Sequence, residues 1–146
     1  MNKQDEILTV SPEQTYHAIR GSIVTAQHSV AKAVNSAMVT AYWEIGEQIY
    51  KACGENDRAE YGSRLLEYLS AKLTAEFGKG FSVQGLRNMR QFYCTFPIRS
   101  TLWSDLSWSH YRLLMRVPDE QARTFYMEEC VKSAWSVRQL ERQINT

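Results

Sequence analysis

Residues 61–97 read YGSRLLEYLSAKLTAEFGKGFSVQGLRNMRQFYCTFP, and this stretch decides the fold. Its first half carries leucines at helical spacing, and Gly78 is placed to end that helix in the left-handed conformation. Ser82 is a good cap for a following helix, which Pro97 stops. Two helices joined by so short a link predict a first helix-turn-helix corner over 61–97.

The C-terminal part of the chain repeats this pattern. The motif FSVxxL at 81–86 is echoed by WSVxxL at 135–140, and each copy follows a helix and a tight turn. Ser107 begins a short helix that reaches about Val117. A second helical corner is therefore predicted over 106–146, and no segment alternates with period two for long enough to predict a strand.

A long helix is predicted ahead of both corners, over 11–53. Ser11-Pro12-Glu13-Gln14 is a strong helix start, with a cap, a proline at the first position and a capping box. The helix ends in a polar loop at 54–57. Apolar residues along it alternate in spacing between three and four, as in a coiled-coil seam: Tyr16, Ile19, Ile23, Ala26, Val30, Ala33 and Ala37. This seam either packs within the chain or pairs with a second copy in a homo-oligomer.

These elements predict a mainly α fold. The whole chain, 1–146, is interpreted as one helical domain of helix-turn-helix type with a long N-terminal helix, with or without a small two-stranded wing at 98–106. Hydrophobic residues make up 44% and charged residues 23%, which is ordinary for a globular protein. No apolar run is long enough to span a bilayer and the N-terminus is not a signal peptide, so we expect a cytoplasmic protein with no membrane partner.

Charge is distributed unevenly along the sequence. Residues 1–78 have a net charge of −3 and residues 117–146 a net charge of −1. Residues 79–116 carry six basic side chains against the single carboxylate Asp105. A basic central segment between mildly acidic terminal segments indicates a surface that binds a polyanion.

The helix after Ser82 carries a polar face inside this basic segment. At 100° per residue, one face collects four side chains: Gln84, Arg87, Asn88 and Gln91. Gln, Asn and Arg make paired hydrogen bonds to adenine and guanine edges, and the second helix of a helix-turn-helix makes such contacts. Lys79, Arg90 and Arg112 are predicted to contact phosphates. The alternative is a solvated polar face, which every surface helix has.

The sequence predicts no catalytic residue, metal site or cofactor. There is no Gly-rich phosphate loop, HExxH or GxSxG motif. Cys53, Cys94 and Cys130 form no zinc pattern. His110 follows the cap Ser107 and is interpreted as a packed or capping residue. The tryptophans and Tyr42 are interpreted as core residues rather than a ligand box.

Six motifs, in order along almost the whole chain, resemble the N-terminal domain of YhcG-like proteins: YWEIG (42–46), RAEYG (58–62), FGKGFS (77–82), LRNMRQFY (86–93), LSWSHY (106–111) and WSVRQLE (135–141). The resemblance implies a helix-turn-helix, with or without a wing, that precedes a nuclease domain of the PD-(D/E)XK superfamily. It therefore implies DNA binding without catalysis in this chain, which is interpreted as a natural short form or an excised domain.

A smaller resemblance covers 106–144, which is similar to the helical DNA-binding region of ParB-type partition proteins. The function predicted from the residues and the resemblance is a duplex-DNA-binding module associated with a nuclease domain or subunit. The alternative is a helical oligomerisation or protein-interaction module, which the seam of the long helix favours.

Overall fold

The structure is a computed structural model that describes residues 11–53 and 59–146. These residues form six α-helices and a 3-10 turn at Arg99–Thr101. The helices are α1 (Pro12–Cys53), α2 (Ala59–Phe77), α3 (Val83–Thr95), α4 (Trp108–Leu114), α5 (Glu120–Lys132) and α6 (Val137–Ile144). No described residue lies in a strand. The predicted mainly α fold with a long N-terminal helix is confirmed, and the predicted polar loop at 54–57 lies outside the described residues.

Serine caps begin four of these helices. The Ser11 hydroxyl accepts a hydrogen bond from the Gln14 N–H at 3.1 Å, and the Gln14 side chain accepts one from the Ser11 N–H at 3.3 Å. Ser82, Ser107 and Ser136 cap α3, α4 and α6, each accepting from the N–H three residues further on. Each cap satisfies a backbone donor that the first helical turn leaves unpaired. The helix starts predicted at Ser11, Ser82 and Ser107 are confirmed.

The observed ends of the helices agree less closely with the sequence-based predictions than the starts do. Gly78 follows α2 with a φ of 82°, as predicted for a left-handed stop. The helix α4 ends at Leu114, whereas the sequence predicted about Val117. The Val117 N–H bonds the Leu114 carbonyl at 3.1 Å, three residues back. This tighter 3-10 hydrogen bond ends the helical structure before Pro118, which has no N–H with which to continue a helix.

Residues 98–106 contain the 3-10 turn and no strand, so the wing left open for this stretch is absent. Side chains hold the segment instead. The Arg99 guanidinium lies 3.0 Å from the Glu44 carboxylate of α1. Tyr111 of α4 accepts a hydrogen bond from the Trp103 N–H at 2.7 Å and donates one to the Trp103 carbonyl at 3.2 Å.

The chain divides into two compact units, Met1–Val34 and Asn35–Thr146. The described part of the first unit, residues 11–34, is helical from Pro12 onward, with nearly every side chain exposed. The second unit contains the buried core. None of the described helices is both long and apolar enough to cross a membrane.

The core of the second unit consists of two clusters that share α3. Phe92 joins a cluster that includes Trp43 and Tyr111, while Leu86 and Met89 join a smaller cluster beneath α2. The Trp43 indole N–H donates to the carbonyl of Phe96 at 2.6 Å. This hydrogen bond satisfies the indole N–H, which would be costly to bury without an acceptor. The prediction that the aromatic residues are core is confirmed, since the other three tryptophans and Tyr42 also pack against these clusters.

Tyr111 of α4 is fully buried, and its ring packs against those of Phe92 and Phe96. Burial raises the pKa of its phenol to about 12, and the hydrogen bond from Trp103 opposes this increase only in part. The folded protein therefore retains the phenolic proton at pH values where an unfolded chain releases it.

We expect the free energy of unfolding to fall as the pH rises from about 10 to about 12, because only the unfolded state loses the Tyr111 proton in that range. The full loss is on the order of 2–3 kcal/mol. Tyr111→Phe should be less stable at neutral pH, because the Trp103 N–H loses its acceptor, and should lack this part of the alkaline decline. Urea unfolding at several pH values measures both effects. Tyr68→Phe, at an exposed tyrosine, is the control, and an equal decline in all three proteins would contradict the assignment.

Candidate nucleic-acid interface

The helix α3 is held from one side only. Leu86, Met89 and Phe92 are buried along it at helical spacing. On its other face Gln84, Arg87 and Gln91 are exposed, and Asn88 is half-buried. The helix therefore presents the four predicted base-reading side chains together on the surface that the core does not use.

Two of these side chains are already oriented by a contact with each other. The Gln84 amide N–H donates to the Asn88 side-chain oxygen at 3.1 Å, one helical turn away. The Gln84 oxygen and the Asn88 amide nitrogen remain as an acceptor and a donor. Adenine presents the complementary pair, a donor and an acceptor, in the major groove.

A narrow cleft joins this face to α4. Its lining consists of Asn88 and Gln91 from α3, Arg112 from α4, and Met115 and Arg116 from the turn that follows α4, around a volume of 130 Å³. Both arginines are exposed, and Met115 is buried at the cleft. The cleft thus combines two amide side chains with two guanidinium groups, which is the chemistry of base and phosphate contacts.

Arg116 was not among the predicted site residues. It lies four residues after Arg112, in the turn that follows α4, and both arginines line the same cleft. That spacing is visible in the sequence and is the signal that could have identified it. The placement of α4 beside α3 is a tertiary feature that the spacing alone does not supply.

The remaining predicted residues lie outside the cleft lining. Lys79 is exposed between Gly78 and Gly80, whose φ angles of 82° and 112° form the tight turn before α3. Arg87 is exposed on α3, whereas Arg90 is half-buried and interacts within the chain. Arg90 is therefore the predicted phosphate contact whose side chain is least accessible.

His110 has a structural role at the start of α4. Its Nδ1 accepts from the Ser107 N–H at 3.2 Å, which completes a capping box, and its Nε2 lies 2.9 Å from the Trp135 carbonyl. Because a carbonyl only accepts, Nε2 carries the proton. The interpretation of His110 as a capping and packing residue is confirmed.

The described ranges, residues 11–53 and 59–146, also bear on metal and thiol chemistry. They contain no group of three or more His, Cys, Asp or Glu side chains arranged to hold a metal ion. Cys53 and Cys130 are buried free thiols, and burial raises the pKa of Cys130. A raised pKa keeps the thiol protonated and therefore unreactive.

Comparison with known proteins identifies the family. The family described as DUF1016 N-terminal domain matches residues 18–146. The chain is also similar to "Putative nuclease YhcG" of Escherichia coli (strain K12), with 32% identity over 179 aligned residues. That alignment covers 100% of this chain and 48% of the relative, so the chain spans about half of the relative's length. No solved structure matches the chain. The resemblance to YhcG-like proteins is confirmed, and the chain belongs to the family of DUF1016 N-terminal domains.

Proposed function

We propose that this chain is a duplex-DNA-binding module of the helix-turn-helix type. The observation that carries the proposal is the cleft that Asn88 and Gln91 of α3 line together with Arg112 of α4 and Arg116 of the turn after it. In helix-turn-helix proteins the second helix lies in the major groove and nearby basic groups hold the backbone. In this proposal α3 is that second helix, and α2 with the turn at Gly78 precedes it.

The contacts divide into two classes. Gln84, Arg87, Asn88 and Gln91 face base edges, where paired hydrogen bonds discriminate between sequences. Lys79, Arg90 and Arg112 contact phosphates, and Arg116 joins them from the same cleft. Phosphate contacts position a protein on any sequence and supply salt-dependent affinity.

The charge of the segment limits the affinity of a single copy. Residues 79–116 carry six basic groups and one acidic group. A few phosphate contacts give binding that weakens steeply with salt and is modest for one domain alone. A second DNA-binding copy or an attached domain raises the effective affinity without any new contact.

We further propose that the module works beside a nuclease domain. The relative's printed name describes a nuclease, and about half of that relative lies outside the alignment. In this proposal the catalytic residues belong to that other part, while this chain holds the DNA. This division is in keeping with the predicted absence of catalysis in this chain.

Substitution of the two contact classes is expected to give different results. Lys79→Ala should weaken binding to every duplex and reduce the salt slope by about 1, because one phosphate contact is lost. Asn88→Ala should lower the preference for a selected site by about 1–3 kcal/mol and weaken binding to random DNA less. Fluorescence anisotropy over a salt series, with duplexes enriched by selection and random duplexes, measures both effects.

The wild-type titration at about 50 mM salt decides the proposal, because non-specific dissociation constants of about 10⁻⁴ to 10⁻⁶ M at physiological salt become smaller as the salt concentration falls. An absence of binding to duplex and single-stranded DNA at tens of micromolar protein would contradict DNA binding by this chain. Binding to single-stranded DNA alone would contradict the proposal that the ligand is duplex DNA. The first result would favour the alternative function, a helical interaction module. The exposed apolar side chains along the first half of α1 support that alternative.

A further inference from the structure

The first unit exposes a stripe of apolar side chains along α1. We define the apolar stripe as Tyr16, Ile19, Ile23, Ala26, Val30 and Ala33. Its four large members are 62%, 55%, 52% and 63% exposed in chain order. A helix of a folded protein normally buries apolar side chains of this size against the core. In α1 these side chains are exposed instead.

The rest of this segment gives the helix little other support. Between residues 11 and 34 the charged side chains are Glu13, Arg20 and Lys32. Most helical stability in proteins comes from packing of an apolar face rather than from intrinsic propensity. A partner that covers the apolar stripe would supply that packing.

The order of side-chain sizes along the apolar stripe points to its partner. The three largest residues come first, at Tyr16, Ile19 and Ile23, and each of the three that follow is smaller: Ala26, Val30 and Ala33. We propose that this segment pairs with the same segment of a second copy as an antiparallel two-helix coiled coil. Reversing the second helix places Tyr16 opposite Ala33, Ile19 opposite Val30 and Ile23 opposite Ala26 of the second copy.

Each layer of this pair then joins a larger residue to a smaller one. The two axes stay at a nearly constant separation, and side chains interdigitate as in a close-packed core. A parallel pair would place Tyr16 against Tyr16 at one end and Ala33 against Ala33 at the other. That arrangement would crowd the first end and leave a gap at the second.

The surface already contains the hole that such packing needs. A shallow apolar groove on this helix is lined by Ile23, Ala26, Gln27, Val30 and Ala31. A coiled-coil side chain inserts between four residues of the facing helix. In the antiparallel register Ile23 of the second copy lies over Ala26, within this groove.

Charge along the edges is compatible with two identical chains. In the same register Arg20 flanks Gln27 of the second copy, and Ser22 flanks Ser29. No like charges oppose each other beside the apolar stripe, so the pair meets no edge repulsion. The arrangement has twofold symmetry, which is the commonest symmetry of homo-oligomers. It does not depend on DNA binding.

Light scattering of the full chain tests the association. We expect the mass of a dimer at micromolar concentration, and the mass of a monomer for the double variant Ile23→Asp/Val30→Asp. The control is Thr25→Asp/His28→Asp, which adds the same two charges on the opposite side of the same helix and should remain dimeric. Circular dichroism verifies that both variants retain the helices of the second unit. A monomeric unmodified chain at high micromolar concentration, or a monomeric control, would overturn the proposal.

Disulfide cross-linking tests the orientation in a Cys94→Ser background. An equimolar mixture of Tyr16→Cys chains and Ala33→Cys chains, one of them carrying a mass tag, should oxidise to the mixed dimer. Each chain alone should stay uncross-linked, because its new thiol faces Ala33 or Tyr16 of the partner. Efficient cross-linking of each chain with itself would indicate a parallel pair and overturn the antiparallel arrangement.

Discussion

Replacement of Gly46 by alanine is expected to destabilise the second unit by about 2–3 kcal/mol, at the upper end of the usual cost of overpacking. A Cβ at this position would overlap the carbonyl oxygen and carbon of Met89 and approach the Tyr93 Cβ at 3.2 Å. The obstacle is backbone of α3, which cannot rotate away as a flexible side chain can. The helices α1 and α3 must therefore separate where the two core clusters adjoin.

The direction of this change distinguishes packing from helix propensity. Within a helix alanine is favoured over glycine by about 1 kcal/mol, so propensity alone predicts a more stable variant. Gly21→Ala is the matched control on the same helix, because a Cβ there meets nothing within 4 Å. It should be neutral or slightly stabilising.

Thermal unfolding followed by tryptophan fluorescence measures the effect, since Trp43 is buried close to Gly46 on the same helix. For a domain of about 100 residues, 2–3 kcal/mol corresponds to a decrease in Tm of about 10 °C or more. A Tm for Gly46→Ala equal to or above that of the unmodified chain would show that α1 and α3 are further apart than the structure has them.

Local signals accounted for the helix starts. A serine cap needs only its own side chain and the N–H three residues later, so Ser82, Ser107 and Ser136 were predictable from sequence. The contact of Gly46 with Met89 was not predictable, because it depends on how two distant helices cross. The end of α4 at Leu114 likewise depends on a local turn that competes closely with a further helical turn.

The candidate site divides in the same way. Helical periodicity predicted that Gln84 and Asn88 share a face, and their side chains are in contact. Periodicity does not indicate which neighbouring helix approaches that face. Arg112 and Arg116 both lie in the basic segment, and only the packing of α4 and the turn after it beside α3 brings them into one cleft with Asn88 and Gln91.

Reversing the charge of both cleft arginines is expected to weaken duplex binding by about 100-fold at about 50 mM salt. In the proposed complex Arg112 and Arg116 each neutralise a phosphate, and each phosphate contact contributes about 0.9 to the slope of log affinity against log salt concentration. The double variant Arg112→Glu/Arg116→Glu should therefore have a salt slope smaller by about 2. Because both side chains are exposed, the change should leave the fold intact.

The matched control is Arg138→Glu/Arg142→Glu on α6. These arginines have the same four-residue spacing and are also exposed, so the change in net charge is identical. If the cleft binds DNA, the control should lose much less affinity and keep most of its salt slope, because Arg138 and Arg142 do not line the cleft and its phosphate contacts are retained. Equal losses in the two variants would mean that affinity follows net charge rather than this cleft. Loss in the control alone would transfer the interface to α6.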